Sequence, residues 1–146
     1  MLYPTAGARL YIANAPADGA GAYPGSGWVE IGEAEALGLL GLEWEHIETP
    51  DIEAPAIGSV KGAMRRQPME IVMGNDPSDA GQALIWAASR SRESYPFRLV
   101  FPGGTITRQW FALVMGLSEV FDAANSIMKL QVVLQPTSDI QRSEGA

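Results

Sequence analysis

Turn-forming residues punctuate this chain from end to end, with 16 glycines and 10 prolines among 146 residues. Such a density favours short elements joined by turns over a long helical bundle. Apolar residues make up 47% of the chain, which is enough for one packed core at this length. We therefore predict a single domain over residues 1–146, built mainly from short elements.

Seven stretches carry the hydrophobic alternation or the β-branched and aromatic composition of a strand. They are Arg9–Ile12, Trp28–Ile31, Leu42–Glu48, Met69–Met73, Phe97–Phe101, Thr105–Leu117 and Ser126–Gln135. Turn signals such as Pro102-Gly103-Gly104 separate them. The pattern predicts a mainly β (α+β) fold, an antiparallel β-sandwich or barrel flanked by one α-helix.

Three segments lack a sustained hydrophobic period. Residues 1–27 are predicted to hold one strand and a flexible Gly-rich N-terminal arm, residues 49–68 a long loop, and residues 137–146 a polar tail. A structureless loop of roughly 20 residues is uncommon inside a compact domain, and such a loop is usually functional or ordered by a partner. A plain mobile insertion is the alternative.

One helix is predicted after residue 75. Asp76 is a suitable N-cap, Pro77 suits the first helical position, and Asp79 adds negative charge to the first turn. Helical spacing then predicts a single buried stripe, formed by Ala80, Ala83, Leu84, Ala87 and Ala88. Tyr95-Pro96 marks the latest point at which this helix can end.

Charge is divided unequally along the chain. Residues 1–60 carry nine acidic side chains and one basic side chain, whereas residues 61–146 carry eight acidic and nine basic side chains. The net charge of −7 excludes the basic footprint of a nucleic-acid-binding protein. The acidic half is either a solvated surface or a surface with a role between copies of the chain.

The residue inventory gives little support to catalysis. The chain has no cysteine and a single histidine, His46, which excludes a thiolate metal site, a cysteine nucleophile and a multi-histidine metal site. Glu43 and Glu45 share one face of a predicted strand, as an acid/base pair of a small hydrolase would, but any strand with alternating Glu does the same. We predict no enzyme activity, no cofactor and no metal.

A binding role is the alternative to a structural role. A carbohydrate platform on a monomeric β-sandwich would use the four tryptophans, Trp28, Trp44, Trp86 and Trp110. Tryptophans that are spread singly along strands and a helix more often belong to a core or an interface. No apolar run approaches 18 residues, so no membrane insertion is expected.

Two linked motifs resemble the tail tube proteins of long-tailed bacteriophages. The family's helix start, DP-x-D-x-G-Q, is similar to DPSDAGQ at residues 76–82. Its hairpin pattern, F-R-x-x-F-P-x-G-T, resembles FRLVFPGGT at residues 97–105. Residues 26–33 and 41–45 are similar to the family's opening strands, so the resemblance extends over residues 26–136.

The resemblance implies a structural protein that forms hexameric rings, stacked into a hollow tube around a tape measure protein. It also implies tail terminator and distal tail proteins at the tube ends, assembly in the host cytoplasm and a final place in the virion tail. DNA would pass through the tube into the host without specific binding. Gene transfer agents and contractile or secretion-type devices have related tubes, and the sequence does not separate these classes.

The resemblance directs attention to two sets of residues. A lumen wall should repel phosphate, so it is expected to carry the acidic side chains Glu30, Glu43, Glu45 and Glu48. Contacts between subunits or rings are expected from the long loop, through Thr49, Pro50, Asp51, Ile52, Ile57, Lys61, Arg65 and Arg66. The long loop and the N-terminal arm are thus the predicted assembly elements.

Overall fold

The computed structural model describes residues 2–17, 23–50, 52–53 and 56–144. Residues 18–22 of the predicted arm, Asp51 and residues 54–55 of the predicted loop, and residues 145–146 of the tail lie outside this description. The elements are β1 (Arg9–Ala13), β2 (Trp28–Ile31), β3 (Ala34–Ala36), β4 (Leu42–Thr49), β5 (Gly58–Arg66), β6 (Met69–Gly74), α1 (Ala80–Ser89), β7 (Tyr95–Val100), β8 (Thr107–Val120), β9 (Lys129–Pro136) and β10 (Gln141–Ser143).

Strand β8 organises the main sheet, whose strand order is β2-β1-β7-β8-β9-β6-β3. The first half of β8 pairs with β7 and its second half pairs with β9. The short strand β10 also pairs with the first half of β8, on the edge opposite β7, which β9 occupies farther along the strand. All of these pairings are antiparallel.

The two edge strands of this sheet are consecutive in sequence. β2 ends at Ile31 and β3 begins at Ala34, so two residues connect opposite edges of the sheet. A connection this short spans about 10 Å, and the sheet must therefore curl until its edges approach each other. The predicted antiparallel sandwich or barrel with one helix is confirmed.

The core lies inside the curled sheet and takes alternate residues from both of its halves. Its most deeply buried side chains include Leu10, Ile12, Met69, Ile71, Met73, Ile85, Phe97, Trp110, Leu130, Val132 and Leu134. The rings of Phe97 and Trp110 stack with centroids 6.1 Å apart. On one face of β9, Leu130, Val132 and Leu134 are all buried.

The predicted N-cap of the helix is wrong. Asp79 caps the helix in place of Asp76: its side chain accepts a hydrogen bond from the backbone N–H of Gln82, and the helix begins at Ala80. Asp76 instead accepts hydrogen bonds from the backbone N–H and the hydroxyl of Ser78, within the turn that precedes the helix. The helix therefore starts about one turn later than predicted.

The predicted buried stripe is wrong in part: Ala88 is buried and Leu84 packs against the core, but the centre of the buried face lies to one side of the stripe. The buried residues are Gly81, Gln82, Ile85 and Ala88. The members of the predicted stripe that are exposed are Ala80, Ala83 and Ala87. Alanine fits a buried and an exposed helix face equally well, so its spacing indicates a helix without identifying the side that packs. Gly81 marks the true side, since a Cβ there would overlap the carbonyl oxygen of Glu30 on β2.

The predicted long loop over residues 49–68 is wrong for about half of its length, because β5 lies within it and pairs with β4. A bulge hides its alternation: the pairing skips one residue, so that Gly62 and Ala63 both lie opposite Glu45. The predicted polar tail is also wrong in part, because it contains the strand β10. The strand β3 was not predicted, because no sequence pattern indicates it. Each of these two strands has three residues and lacks a large apolar side chain.

The described part of the N-terminal arm is attached to the body by aromatic contacts. Tyr3 packs edge-on against Phe101, with ring centroids 5.8 Å apart. Tyr23 stacks on Phe111 at 4.4 Å, and its hydroxyl donates to the Gln109 carbonyl at 3.1 Å. Burial at this position raises the pKa of Tyr23. Tyr3 and Tyr23 thus each tie the chain to the body next to or within β7 and β8.

Candidate assembly surface

Strands β4 and β5 form a two-stranded sheet of their own, here called the free hairpin (Leu42–Arg66). All eight residues of β4 are exposed, and no residue of β5 is fully buried. A two-stranded hairpin on its own is marginally stable in water, because it has no further layer that could bury an apolar face. The free hairpin is therefore an element that a second molecule can complete.

Two contacts fix the base of the free hairpin to the body, and a third closes the base by joining its two ends. Arg66 Nη2 lies 2.9 Å from Asp139 Oδ1. The Gln135 side chain donates to the Arg66 carbonyl at 2.9 Å, and the Gln67 N–H donates to the Gly41 carbonyl at 3.1 Å. The base sets the direction in which the ribbon leaves the body, while the remaining length of the ribbon stays exposed.

One surface of the ribbon, here called the tryptophan face, combines apolar and cationic side chains. Alternation and strand pairing assign to it Leu42, Trp44, His46, Glu48, Ser59, Lys61, Met64 and Arg66. Side-chain contacts agree, since Lys61 Nζ lies 5.1 Å from the Trp44 ring centroid and His46 Nε2 lies 2.8 Å from Ser59 Oγ. Leu42 and Trp44 nevertheless remain 48% and 42% exposed. Two large apolar side chains thus lie on an open surface.

The opposite surface, here called the glutamate face, carries Glu43, Glu45, Ile47, Thr49, Val60 and Arg65. The bulge inserts its extra residue in β5, so the alternation of β4 continues through it and keeps Glu43 and Glu45 on one face. Arg65 lies opposite Glu43 in the strand register, and Ile47 lies opposite Val60. The two faces differ in character: one has exposed Leu and Trp, and the other has a pair of carboxylates.

The four acidic residues predicted for the lumen are only partly brought together. Glu43 and Glu45 share the glutamate face, but Glu48 lies on the tryptophan face. Glu30 lies on β2 in the main sheet, where its carboxylate is 4.0 Å from Arg9 Nε. Within one subunit, a common negative surface therefore rests on Glu43 and Glu45.

The residues predicted for subunit contacts are distributed along the free hairpin. Its strands hold Thr49, Lys61, Arg65 and Arg66. The segment between its strands holds the exposed residues Pro50, Ile52 and Ile57. Asp51 lies outside the described residues. The sequence-based set omits Leu42 and Trp44, because strand alternation by itself favours a buried position for both.

The four tryptophans lie on separate parts of the molecule. Trp110 is completely buried in the core. Arg98 covers Trp28, with its guanidinium carbon 4.5 Å from the ring centroid. Trp86 is half-buried on the helix, and Trp44 lies on the free hairpin. The carbohydrate-platform hypothesis therefore lacks the shared surface that it requires.

An acid/base role for Glu43 and Glu45 would require both carboxylates to lie in an enclosed site. Glu43 and Glu45 lie on an open ribbon, with each residue of β4 exposed. In the part of the chain that the structure describes, no group of three or more His, Cys, Asp or Glu residues is placed to hold a metal ion. Among the same residues, no helix combines the length and the apolar character needed to cross a membrane.

The motif DPSDAGQ at residues 76–82 joins the helix to the seam between the sheet edges. Asp79 Oδ2 accepts from the N–H of Gly32 at 3.1 Å and from that of Gln82 at 3.0 Å. Gln82 Nε2 donates to the carbonyls of Gly32 and Gly74, at 3.2 and 2.8 Å. Its Oε1 accepts from the Asp76 N–H at 3.0 Å. The motif therefore supports the fold.

The second motif, FRLVFPGGT, also has a structural explanation. Gly103 and Gly104 adopt φ angles of 100° and 82°, a region that glycine enters without steric cost. The Gly104 N–H donates to the Phe101 carbonyl at 3.0 Å, which closes the turn between β7 and β8. Both motifs thus have a structural role in the fold.

No protein-family model and no curated protein matches the chain. Solved structures do resemble it over nearly its whole length. A chain of the SPP1 tail tube, determined by solid-state NMR and cryo-EM, superposes with a TM-score of 0.67 at 16% identity, covering 95% of this chain and 77% of that one. A chain of the sheath–tube complex of PVC, an extracellular contractile injection system, gives a TM-score of 0.71 at 13% identity, with 99% and 93% covered.

The tube-terminating cap of the anti-feeding prophage gives a TM-score of 0.68 at 14% identity, with 100% of this chain and 93% of that chain covered. At such identities the likeness shows a common fold. The superposed structures cover the curled antiparallel sheet, the single helix and the free hairpin of this chain. The chain has the tail tube fold found in phage tails and contractile injection systems.

Proposed function

We propose that the chain is a structural subunit that self-assembles into stacked hexameric rings and forms a phage tail tube, a conduit for DNA during ejection. The observation that carries the proposal is the free hairpin, an exposed ribbon with two different faces on a tail tube fold. The likeness to the SPP1 tail tube and to the PVC sheath–tube complex supports the same class of function.

The shape of the free hairpin favours contacts that continue from copy to copy. A ribbon that leaves the body packs on a different surface of its neighbour, so the contact is heterologous. Heterologous contacts either close into a ring or extend as an open helical assembly. A tube of stacked rings uses both kinds of contact.

The two faces of the ribbon have different roles in this proposal. Burial of Leu42 and Trp44 against a neighbour stabilises the assembly, because it removes large apolar side chains from water. Glu43 and Glu45 stay hydrated and line the lumen, which avoids the cost of burying carboxylates. Glu30 and Glu48 lie on other surfaces of the subunit, so they contribute to the lumen wall only where neighbouring copies bring them to it.

The proposal also assigns partners and a location. Copies of the chain are the main partners, a tape measure protein occupies the lumen during assembly, and tail terminator and distal tail proteins cap the two tube ends. Assembly takes place in the host cytoplasm, and the finished tube belongs to the virion tail. DNA passes without specific binding, because the wall carboxylates repel its phosphates. No catalytic step, cofactor or metal is assigned.

Negative-stain microscopy of the concentrated protein tests the proposal. We expect rings and tubes from the wild type, and fewer or none from Trp44→Ser, which removes the largest exposed apolar side chain of the tryptophan face. Glu45→Gln is the matched control, since it changes the adjacent residue on the opposite face, and it should assemble like the wild type. A wild type that stays monomeric at every concentration would contradict the proposal.

A further inference from the structure

The connection between β8 and β9 displays apolar side chains at one end of the barrel. This segment, here called the apical loop (Phe121–Met128), has eight residues. Phe121 is 54% exposed, Ile127 is 72% exposed and Met128 is 56% exposed. The last pair of the two strands is Val120 with Lys129. Phe121 comes directly after Val120 and Met128 directly before Lys129, so these two residues lie side by side at the base of the loop. Exposed apolar side chains that are grouped in this way mark an interaction surface.

The backbone of the apical loop is held in place by hydrogen bonds. The Asn75 N–H donates to the Met128 carbonyl at 3.0 Å, and the Ser126 N–H donates to the Ala123 carbonyl at 2.9 Å. The Asn75 side chain also donates to Glu119 at 3.2 Å, just before the loop begins. The apolar side chains are thus presented by an ordered backbone, which lowers the entropic cost of binding.

The apical loop and the free hairpin lie at opposite ends of one strand pair. The hairpin base enters β6 at Met69, which pairs with Leu134, and β6 ends at Gly74, which pairs with Lys129 beside the loop. Five residue steps of an antiparallel strand separate these ends by about 17 Å. A hairpin and a loop placed in this way can meet between two copies that are stacked in the same direction.

The two surfaces are complementary in polarity and charge. The tryptophan face offers Leu42 and Trp44 with the ammonium of Lys61 beside the indole ring, while its one carboxylate, Glu48, lies farther along the ribbon, opposite Ser59. The apical loop offers three apolar side chains and a single charged residue, Asp122. Arg66, the other cation of the tryptophan face, is already engaged by Asp139 at the hairpin base. Contact between the surfaces would bury apolar groups and bring Lys61 to the side of Asp122.

We propose that the apical loop of one copy receives the tryptophan face of the free hairpin of a second copy. This inference rests on the proposed function and identifies the partner surface of the hairpin. The two ends of the subunit are different, so each copy uses its hairpin on one neighbour and its loop on another, and the contact repeats without closing on itself. This contact stacks subunits along the tube axis.

Two complementary variants test the pairing of these surfaces. The hairpin variant carries Leu42→Ser and Trp44→Ser, and the loop variant carries Phe121→Ser and Ile127→Ser. Each variant should need a concentration higher by roughly tenfold or more for assembly, because apolar burial is lost. When the two variants are mixed below that concentration, they should form a complex that contains both chains, because the intact hairpin of the loop variant meets the intact loop of the hairpin variant. This complex should not extend into tubes. Native mass spectrometry identifies it.

A matched control separates the tryptophan face from the rest of the ribbon. Ile47→Ser with Val60→Ser removes two similarly exposed apolar side chains from the glutamate face of the same hairpin. This control should assemble like the wild type. Circular dichroism and thermal unfolding verify that every variant folds, and Ile127→Ser alone supplies a milder loop variant if the double loop variant is unstable.

The outcomes distinguish this inference from the proposed function. A wild type that forms no rings or tubes contradicts the proposed function itself. If the wild type assembles, the inference is overturned by a loop variant that assembles equally well, by a mixture that forms no complex with both chains, or by a glutamate-face control that loses assembly as fully as the hairpin variant.

Discussion

At the scale of single residues, buried polar groups locate the helix on the sheet. Gln82 is 2% exposed, and its amide bonds to three backbone groups on two segments, Gly32 and Gly74–Asp76. The sequence predicted a helix and a cap in this region, but it assigned the cap to Asp76. The choice of Asp79 depends on its contact with the Gly32 N–H across the seam, a partner 47 residues away that no local pattern reveals.

The amide of Gln82 is expected to stabilise the closed sheet. Gln82→Ala should lower the free energy of unfolding by about 1–3 kcal/mol, because it leaves buried backbone groups without a partner. Ala83→Ser, at the adjacent exposed position, is the matched control and should stay within about 0.5 kcal/mol of the wild type. Urea unfolding measures both, and equal stability of the two variants would contradict the role given to Gln82.

The turn before the helix contributes to the stability of the folded state in a pH-dependent way. Hydrogen bonds from the Ser78 hydroxyl and N–H lower the pKa of Asp76. A lowered pKa means that the carboxylate favours the folded state above its unfolded pKa of roughly 4, and that this contribution is lost as the pH falls through the folded pKa. Ser78→Ala should raise the pKa of Asp76 toward its ordinary value. An NMR titration of Asp76 checks this, and an unchanged pKa would count against the hydrogen bonds as the cause.

At the scale of elements, alternation predicts the strands that face the core and the exposed strand β4, but it misses β5. Leu130, Val132 and Leu134 show a clear period because one face of β9 is buried. β5 shows none, since a bulge at Gly62 and Ala63 shifts its phase. The sequence therefore predicted a loop over residues 49–68 where the structure has the strand β5, and the role of this region in assembly stays a prediction.

Shortening the free hairpin is expected to separate folding from assembly. Residues 45–63 can be replaced by Asn-Gly, a two-residue turn that suits the directly paired Trp44 and Met64. The melting temperature should change little, because the removed residues contribute nothing to the buried core, while rings and tubes should be lost. Calorimetry and electron microscopy measure the two effects, and normal tubes from the shortened protein would remove the hairpin from the assembly mechanism.

At the scale of the whole molecule, the acidic excess of residues 1–60 is concentrated in part on β4, where Glu43 and Glu45 share one face. The sequence predicted this shared face correctly. The direction that the face takes in an assembly depends on contacts with other copies, so neither the sequence nor the structure of one subunit contains it. In a narrow bore, charges within about 8 Å of each other act together at physiological salt. A repeated carboxylate pair therefore gives a strong field for any polyanion inside.

Reversing that field is expected to slow DNA passage while leaving the tube intact. Glu43→Lys with Glu45→Lys should still assemble, because both positions are exposed and lie outside the tryptophan face. DNA should now be held in the bore, protected from nuclease, and released by salt, since lysines bind phosphate by displacing counterions. Glu70→Lys with Glu93→Lys, exposed on the body, is the charge-matched control: DNA bound outside the tube stays open to nuclease. Equal protection by both variants, or none by either, would exclude Glu43 and Glu45 from the lumen.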